Sequence, residues 1–258
     1  MLWLIGLIIF IIIAAVLFFV LKKVVKVILI LVGLIILVLV VGLFFIYQDA
    51  RSMQENFDSS PNLFLLEIEE NIIAGMQSNP EQDPVYLDSQ TISSYNFLYK
   101  DNNLNDIKED NYKLIIFNQE AFDSIQQITI DNHIFTYEFA TALLNSNTPV
   151  DDYIDNLIIL EGISQENRES VKQNMKSDFE YSDTEFKGAV FATLFQERQD
   201  AEGPIFIFKQ YQAGNAEVYK ETAIFKLIEV IPTSFLKNMI EKTKTTVKET
   251  VKSKINNT

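Results

Sequence analysis

The chain of 258 residues contains no cysteine and only one histidine, His133. Without cysteine there is no disulfide framework, no thiolate nucleophile and no cysteine-ligated zinc or iron–sulfur site. With a single histidine, the His-Glu-x-x-His motif of zinc proteases cannot occur. The eight glycines are scattered, and neither Gly-x-x-x-x-Gly-Lys nor Gly-x-Gly-x-x-Gly, the two common phosphate-binding patterns, is present. These absences exclude several enzyme classes, and no cofactor is predicted.

Acidic residues are absent from the first 47 residues, whose only charged side chains are Lys22, Lys23 and Lys26. The lysines separate two uncharged stretches, residues 2–21 and 27–47. Each stretch provides the about 20 apolar residues that a membrane-spanning helix needs. A lysine ammonium is costly inside a bilayer, so we expect the three lysines in a turn at the membrane surface. The sequence therefore predicts an N-terminal two-helix transmembrane hairpin.

The three lysines also predict the orientation of this hairpin. Positive charge in short loops marks the cytoplasmic side of a membrane, so the turn is expected inside, with the N-terminus and the following domain outside. Aromatic residues would form a belt at the outer interface; they are Trp3, Phe44, Phe45 and Tyr47. A cleavable signal peptide is not expected, because the N-terminus has no basic residue and the apolar run is too long. The sequence thus predicts a two-pass protein of the cell membrane.

The rest of the chain is strongly acidic until its last segment. Residues 48–234 contain 33 Asp or Glu against 12 Lys or Arg, whereas residues 235–258 contain six Lys against two Glu. An acidic body argues against nucleic-acid binding, because a basic face is needed to neutralise phosphates. We interpret it as a solvated surface, and cation binding stays open. The basic segment predicts an amphipathic helix that lies on anionic lipid or docks on the acidic body, or else a solvated tail.

Short apolar and aromatic runs between polar segments predict a set of strands. The predicted strands are Leu63–Ile68, Ile72–Met76, Tyr95–Tyr99, Tyr112–Phe117, Ile125–Ile130, His133–Phe139, Ile205–Phe208 and Val218–Ile231. A turn between two short strands is expected at Glu69-Glu70-Asn71. A tight hairpin turn is expected at Asp131-Asn132, since both residues tolerate positive φ. For residues 204–212 the sequence does not distinguish a strand from a helix.

Three helices are expected between the two groups of strands. The first runs from Pro149 to about Leu160 and stops at Gly162, and the second carries Val171, Met175 and Phe179 on one face. The third opens with a capping box at residues 182–185 and is broken by Gly203-Pro204. This order predicts an α+β fold with a mainly antiparallel sheet and about three helices. The predicted parts are the transmembrane hairpin (1–47), a juxtamembrane connector (48–60), an acidic α+β domain (61–232) and a C-terminal helix or tail (233–258).

Few side chains suggest chemistry. Ser234 and Lys237 have the Ser-x-x-Lys spacing of serine acyl enzymes, although Ser234 also fits a helix N-cap. Residues 101–106 resemble the opening of an EF-hand loop, but Asp106 and Tyr112 stand where a glycine and a glutamate belong. Other candidates have structural explanations; they are His133 with the turn 162–166, and Asp151, Asp152 and Asp155 at a helix start. No catalytic, cofactor-binding or metal residue is therefore predicted.

Taken together, these features predict an integral membrane protein that displays an acidic extracytoplasmic domain. Its expected role is non-catalytic, as a surface or envelope component that binds or positions another protein. Two alternatives stay open: a membrane-tethered serine hydrolase that uses Ser234 and Lys237, and a membrane-complex subunit whose domain faces the cytoplasm. The expected partners are the lipid bilayer and another protein or membrane complex, without nucleic acid.

Overall fold

The computed structural model of the chain describes residues 26, 31–37, 40, 41, 44, 48, 52, 55–57, 59–203 and 205–228. The chain folds into two compact units, Met1–Arg51 and Ser52–Thr258. In the first unit the described residues are helical, and large apolar side chains such as Leu34 and Leu37 are exposed. Among all described residues, no helix combines the length and the apolar character needed to cross a bilayer. Most of the predicted spans, 2–21 and 27–47, lies outside the described residues.

A five-stranded mixed sheet forms the centre of the second unit. The strands are β1 (Asn62–Ile68), β2 (Asn71–Ser78), β3 (Val85–Tyr86), β4 (Lys113–Asn118), β5 (Gln127–Ile130), β6 (His133–Thr136) and β7 (Ala216–Tyr219). The sheet order is β3-β2-β1-β4-β7, and β5 and β6 form a separate hairpin. Only β1 and β4 pair in parallel; the other neighbours in the sheet are antiparallel. The prediction of an α+β fold with a mainly antiparallel sheet is confirmed.

Strand β1 is apolar throughout because it is buried on both faces. Leu63 and Leu65 belong to the core on one side of the sheet, and Phe64 and Leu66 belong to the core on the other side. Successive side chains of a strand point to opposite faces, so a continuous apolar run is typical of a strand covered by helices on both sides. The helices therefore form two layers that enclose the sheet.

Both predicted turns are present. Glu69 and Glu70 join β1 to β2 with φ of 51° and 61°, and Asp131 and Asn132 join β5 to β6 with φ of 48° and 66°. Two central residues with positive φ match the twist of the flanking strands, which is why such turns dominate short hairpins. In β2 the register then shifts, because Leu66 pairs with Ala74 while Glu67 pairs with Ile72.

Two helices cover one face of the sheet, α1 (Ser89–Lys100) and α2 (Leu104–Lys108). The prediction of a strand at Tyr95–Tyr99 is therefore wrong. Asp88 caps α1, since its side chain accepts a hydrogen bond from the Thr91 amide at 2.8 Å. Ile92 and Tyr95, one helical turn apart, are the buried residues of α1. The aromatic composition suggested a strand, but the cap and the helical spacing of the buried residues decide the conformation.

The other face carries the remaining helices. They are α3 (Tyr137–Asn145), α4 (Pro149–Leu160), α5 (Arg168–Asp178), α6 (Asp183–Glu202), α7 (Ile205–Ala213) and α8 (Ala223–Ile228). The three predicted helices are α4, α5 and α6, and the described residues contain more helices than the about three expected. The capping box of α6 is formed, with the Ser182 amide 2.9 Å from Glu185 Oε2. The stop of α4 is formed as well, because Gly162 has φ of 68° and the Ile163 amide donates to Ile158 O.

Three further predicted strands are wrong in whole or in part. The predicted strand His133–Phe139 ends at Thr136, whose hydroxyl caps α3. The predicted strand Ile205–Phe208 is instead the start of α7, where all four residues are buried, so its apolar run carries no strand alternation. The predicted strand Val218–Ile231 contains only the end of β7, after which α8 begins; residues 229–231 lie outside the described part.

Candidate functional site

Helix α6 lies close to β2, and glycine makes this approach possible. A Cβ atom added at Gly188 would lie 2.9 Å from the carbonyl oxygen of Gly75 and 3.0 Å from Tyr86 Cβ. Real Cβ atoms rarely come that close to other atoms, and a backbone carbonyl cannot easily move aside. The first half of α6 is therefore held against β2 and its neighbour, the edge strand β3. Its second half continues past the end of β2, where a cleft opens.

The cleft has a volume of about 370 Å³. Its walls are the residues that lead into β1, the end of β2 with the loop that follows, and the second half of α6. The lining residues are Phe57, Ser60, Asn62, Phe64, Met76, Ser78, Asn79, Pro80, Glu81, Pro84, Ala192, Phe195, Gln196 and Gln199. The volume falls near the lower end of the about 300–1,000 Å³ typical of ligand sites. We therefore treat this cleft as the candidate binding site.

One wall of the cleft is aromatic. The ring of Phe64 lies 4.7 Å from that of Phe195 and 6.4 Å from that of Phe57, measured between centroids. Phe64 is buried beneath the cleft, whereas Phe57 and Phe195 are partly exposed. Met76 lines the same cleft, and its unbranched thioether adapts to different shapes. This wall can accept an apolar side chain or ring.

The polar residue deepest in the cleft is Asn62, which is 2% exposed. Its Nδ2 donates hydrogen bonds to the carbonyl oxygens of Phe57 at 2.7 Å and Ser60 at 3.0 Å. Because both partners are acceptors, the amide orientation is fixed, and Oδ1 is the atom left over. Among the described residues, this buried oxygen accepts no hydrogen bond. An unsatisfied buried acceptor costs about 1–3 kcal/mol, and this oxygen is enclosed by the protein.

The cleft is neutral to acidic. Among the described lining residues, Glu81 is the one that carries a charge, and the other polar residues are amides and hydroxyls. The neighbouring Lys113, which pairs with Asn62 across the β1–β4 ladder, is buried and donates to the carbonyl oxygen of Lys220 at 2.7 Å. Its ammonium also lies 5.8 Å from the centre of the Phe225 ring. Because the described lining contains no lysine or arginine, it favours neutral or cationic ligands over phosphates and carboxylates.

The single histidine lies on the surface of the β5–β6 hairpin. His133 Nδ1 is 3.0 Å from the carbonyl oxygen of Asp131, and Nε2 is 3.9 Å from Glu161 Oε1. The turn 162–166, which contains Ser164, connects α4 to α5 and follows no strand, unlike a nucleophile elbow. These contacts are typical of a histidine that packs at the protein surface.

The acidic residues singled out in the sequence are engaged by neighbours. Residues 101–103 form the turn before α2 and residues 104–106 begin that helix; Asn103 Nδ2 donates to Asp106 Oδ2 at 2.6 Å. In α4, Asp151 pairs with Lys176 and Asp155 with Lys172, each at 2.7 Å, which joins α4 to α5. Within the residues that the structure describes, no group of three or more His, Asp or Glu is placed to hold a metal ion.

Other predicted residues fall largely beyond the described part of the chain. Lys26 and Phe44 are described, and both are helical and exposed. The residues outside are Trp3, Lys22, Lys23, Phe45, Tyr47, Ser234, Lys237 and the tail 235–258. The membrane orientation, the Ser-x-x-Lys hypothesis and the amphipathic tail therefore stay predictions.

The cleft itself was not found from the sequence, because its walls come from three distant segments. One sequence pattern does point to it. Ala192, Phe195, Gln196 and Gln199 are spaced i, i+3, i+4, i+7 and share one face of α6. This face of α6 packs on the core in the first half of the helix and carries two side-chain amides, Gln196 and Gln199, in the second half. The amides indicate that the second half lines a polar opening.

Comparisons with known proteins find no matching protein-family model, no similar curated protein and no similar solved structure.

Proposed function

We propose that this chain is a membrane-anchored, non-catalytic binding protein that displays its acidic α+β domain on the extracytoplasmic side. The observation that carries this proposal is the cleft of about 370 Å³ between β1, β2 and α6. It combines an aromatic wall with amide and hydroxyl side chains. Such a mixture of apolar surface and a few placed polar groups is typical of binding sites.

The lining of the cleft supports binding rather than catalysis. Acid–base catalysis needs two titratable groups or a nucleophile beside a base, held within hydrogen-bond reach of the reacting atoms. Glu81 is the one titratable side chain in the described part of the lining, where no base is paired with it. The cleft can therefore bind and orient a ligand, but its lining does not supply the groups for proton transfer.

The membrane anchor is supported by the sequence and by the exposed apolar residues of the first unit. Residues 2–21 and 27–47 contain no charged side chain. Described positions between residues 31 and 44 are helical, and Leu31, Leu34 and Leu37 are each more than half exposed. A helix that is apolar on all sides is stable in lipid, where such exposure costs nothing. The lysines between the two stretches support a cytoplasmic turn.

Topology is the experiment that tests this proposal. The cysteine-free chain allows single cysteines at Ser59 and at Ser253, and intact cells would be labelled with a membrane-impermeant thiol reagent. Ser59 is exposed in the described structure. We expect both positions to be labelled in intact cells if the domain lies outside.

A cysteine at Val24, between the three lysines, is the matched control and should be labelled only after the cells are broken. If instead Val24→Cys reacts in intact cells while the other two positions do not, the domain faces the cytoplasm. That result would overturn the extracytoplasmic proposal and favour a docking surface in an intracellular membrane complex.

A further inference from the structure

We infer that the cleft binds an extended peptide segment of a basic partner protein, which inserts one large apolar side chain between basic flanking residues. This inference rests on the proposed binding function and adds the chemistry of the partner. Three properties of the cleft support it: its size, its polar lining and the charge around it.

The size of the cleft fits a peptide anchor. A cleft of about 370 Å³ cannot receive a folded domain, but it can hold one large side chain and the adjoining backbone. The aromatic wall of Phe57, Phe64 and Phe195 provides favourable packing for an aliphatic or aromatic anchor. Buried anchors of this type carry most of the energy in peptide recognition.

The polar lining fits a peptide backbone. An extended peptide presents N–H donors and C=O acceptors alternately, and its affinity depends on pairing them. Asn62 lines the cleft with its amide side chain, although its Oδ1 is itself enclosed by the protein. Side-chain amides offer both donors and acceptors, and Asn79 and Gln199 line the same cleft.

The negative charge around the cleft determines which residues should flank the apolar anchor of the peptide. Glu81 is the charged group of the lining, and the body of the domain, residues 48–234, holds 33 acidic against 12 basic residues. A basic segment is therefore attracted, and an acidic segment is repelled at the same site. The part of the lining that the structure describes contains none of the arginines and lysines that recognise acidic or phosphorylated motifs.

The test uses the full chain in nanodiscs with ¹³C-methyl-labelled methionine, observed by NMR. Met76 lines the cleft and reports binding, whereas Met175 lies in α5 and is the internal reference. The probe is an acetylated six-residue peptide with a central Phe-Leu pair and two lysines on each side. Matched peptides replace either the four lysines by glutamate or the Phe-Leu pair by two serines.

We expect a saturable shift of the Met76 methyl signal with the lysine-flanked peptide and none at Met175. Affinity should be at least about tenfold lower for both matched peptides. Ala192→Trp fills the cleft and should abolish the shift, while the same substitution at exposed Ala201 on α6 should not. Glu81→Lys, in a loop at the cleft, should weaken the lysine-flanked peptide and favour the glutamate-flanked one.

Equal affinity for all three peptides, or no shift of Met76 with any of them, would overturn the inference. An unchanged peptide affinity in Glu81→Lys would also contradict it, and this loop variant does not depend on how well Ala192→Trp folds. The topology assay reports labelling of cysteines outside the cleft. Failure of peptide binding and failure of the extracytoplasmic proposal are therefore separate results.

Discussion

Two glutamates carry the turn between β1 and β2 in a backbone conformation that suits glycine better. Glu69 and Glu70 have φ of 51° and 61°, and the Glu70 amide donates to the side chain of Glu67. A residue with a Cβ pays about 1–2 kcal/mol to adopt the left-handed region. The neighbouring contacts compensate in part, since Asn71 Nδ2 donates to the Glu69 carbonyl at 2.7 Å.

Replacing Glu70 by glycine should stabilise the domain by about 1 kcal/mol, because glycine adopts positive φ without strain. The measurement is the urea-unfolding free energy of the full chain in detergent, followed by circular dichroism. Glu166→Gly is the matched control: Glu166 is exposed in a turn and is not among the residues with positive φ. The control should lose a few tenths of a kcal/mol through chain entropy, and a loss of stability in Glu70→Gly would contradict the prediction.

Buried tyrosines make the stability of the domain sensitive to alkaline pH. Burial raises the pKa of Tyr95 to about 12, and the nearby Glu109 carboxylate, 3.2 Å from the hydroxyl, adds to this effect. Burial likewise raises the pKa of Tyr153, which donates to Asp131 Oδ2 at 3.1 Å. The folded chain keeps these protons at pH values where the unfolded chain loses them. Stability present below pH 10 is therefore lost as the pH rises through the folded pKa.

The prediction is that the unfolding free energy falls between about pH 10 and about pH 12, by about 1.4 kcal/mol per unit of pKa difference for each such tyrosine. In Tyr95→Phe the unfolding free energy should fall less steeply with pH, because the variant lacks one phenol that binds its proton more tightly in the folded chain than in the unfolded chain. Urea unfolding at several pH values measures the slope. Tyr181→Phe, which removes an exposed phenol, is the control; an identical slope in Tyr95→Phe and the wild type would disprove the assignment.

At the scale of elements, the position of α6 depends on Gly188. Alanine has the better helix propensity by about 1 kcal/mol, yet its Cβ would lie 2.9 Å from the Gly75 carbonyl oxygen. Overpacking typically costs about 1–3 kcal/mol. Gly188→Ala should therefore lower the unfolding free energy, and Gly188→Val should lower it further.

The same urea-unfolding measurement checks this prediction. At Gly33, in a helical part of the first unit, an added Cβ meets no atom within 4 Å. Gly33→Ala is therefore the control and should leave the unfolding of the second unit unchanged. A gain in stability on Gly188→Ala would show that helix propensity outweighs the close approach.

Local signals in the sequence predicted the parts of the fold that depend on neighbours along the chain. The turns at Glu69-Glu70 and Asp131-Asn132, the capping box at Ser182 and the stop at Gly162 all rest on contacts within a few residues. They were correct for that reason. Helix α7 was not predicted, since the run Ile205–Phe208 is buried on all sides and has no period to separate helix from strand.

The candidate site lies beyond such local signals. Asn62, Met76 and Gln199 meet in one cleft only because β1 and β2 pair and α6 crosses their end. Nothing within a few residues of each position encodes that meeting. The unused acceptor of Asn62 likewise depends on the connector that brings the Phe57 carbonyl to its Nδ2. Sequence patterns therefore predicted the framework around the cleft but not the cleft.

For the whole molecule, the dominant electrostatic feature is the excess of negative charge on the domain. The ion pairs Lys172–Asp155 and Lys176–Asp151 join α4 to α5, but they are partly exposed, and such pairs contribute about 0–1 kcal/mol each. The 33 acidic residues of the body repel one another over longer distances. Like-charge repulsion destabilises a compact state more than it destabilises an expanded chain.

Salt should therefore stabilise this domain. Raising NaCl from about 10 mM to about 1 M shortens the screening length from about 30 Å to about 3 Å, which weakens the long-range repulsion more than it weakens the short ion pairs. We expect the melting temperature of the full chain in a non-ionic detergent to rise over this range. A variant that neutralises three exposed acids, Asp110→Asn, Glu166→Gln and Glu197→Gln, should melt higher at low salt and respond less to added salt. If the melting temperature fell with salt in both proteins, the ion pairs between α4 and α5 would outweigh the net charge, and the acidic surface would not limit stability.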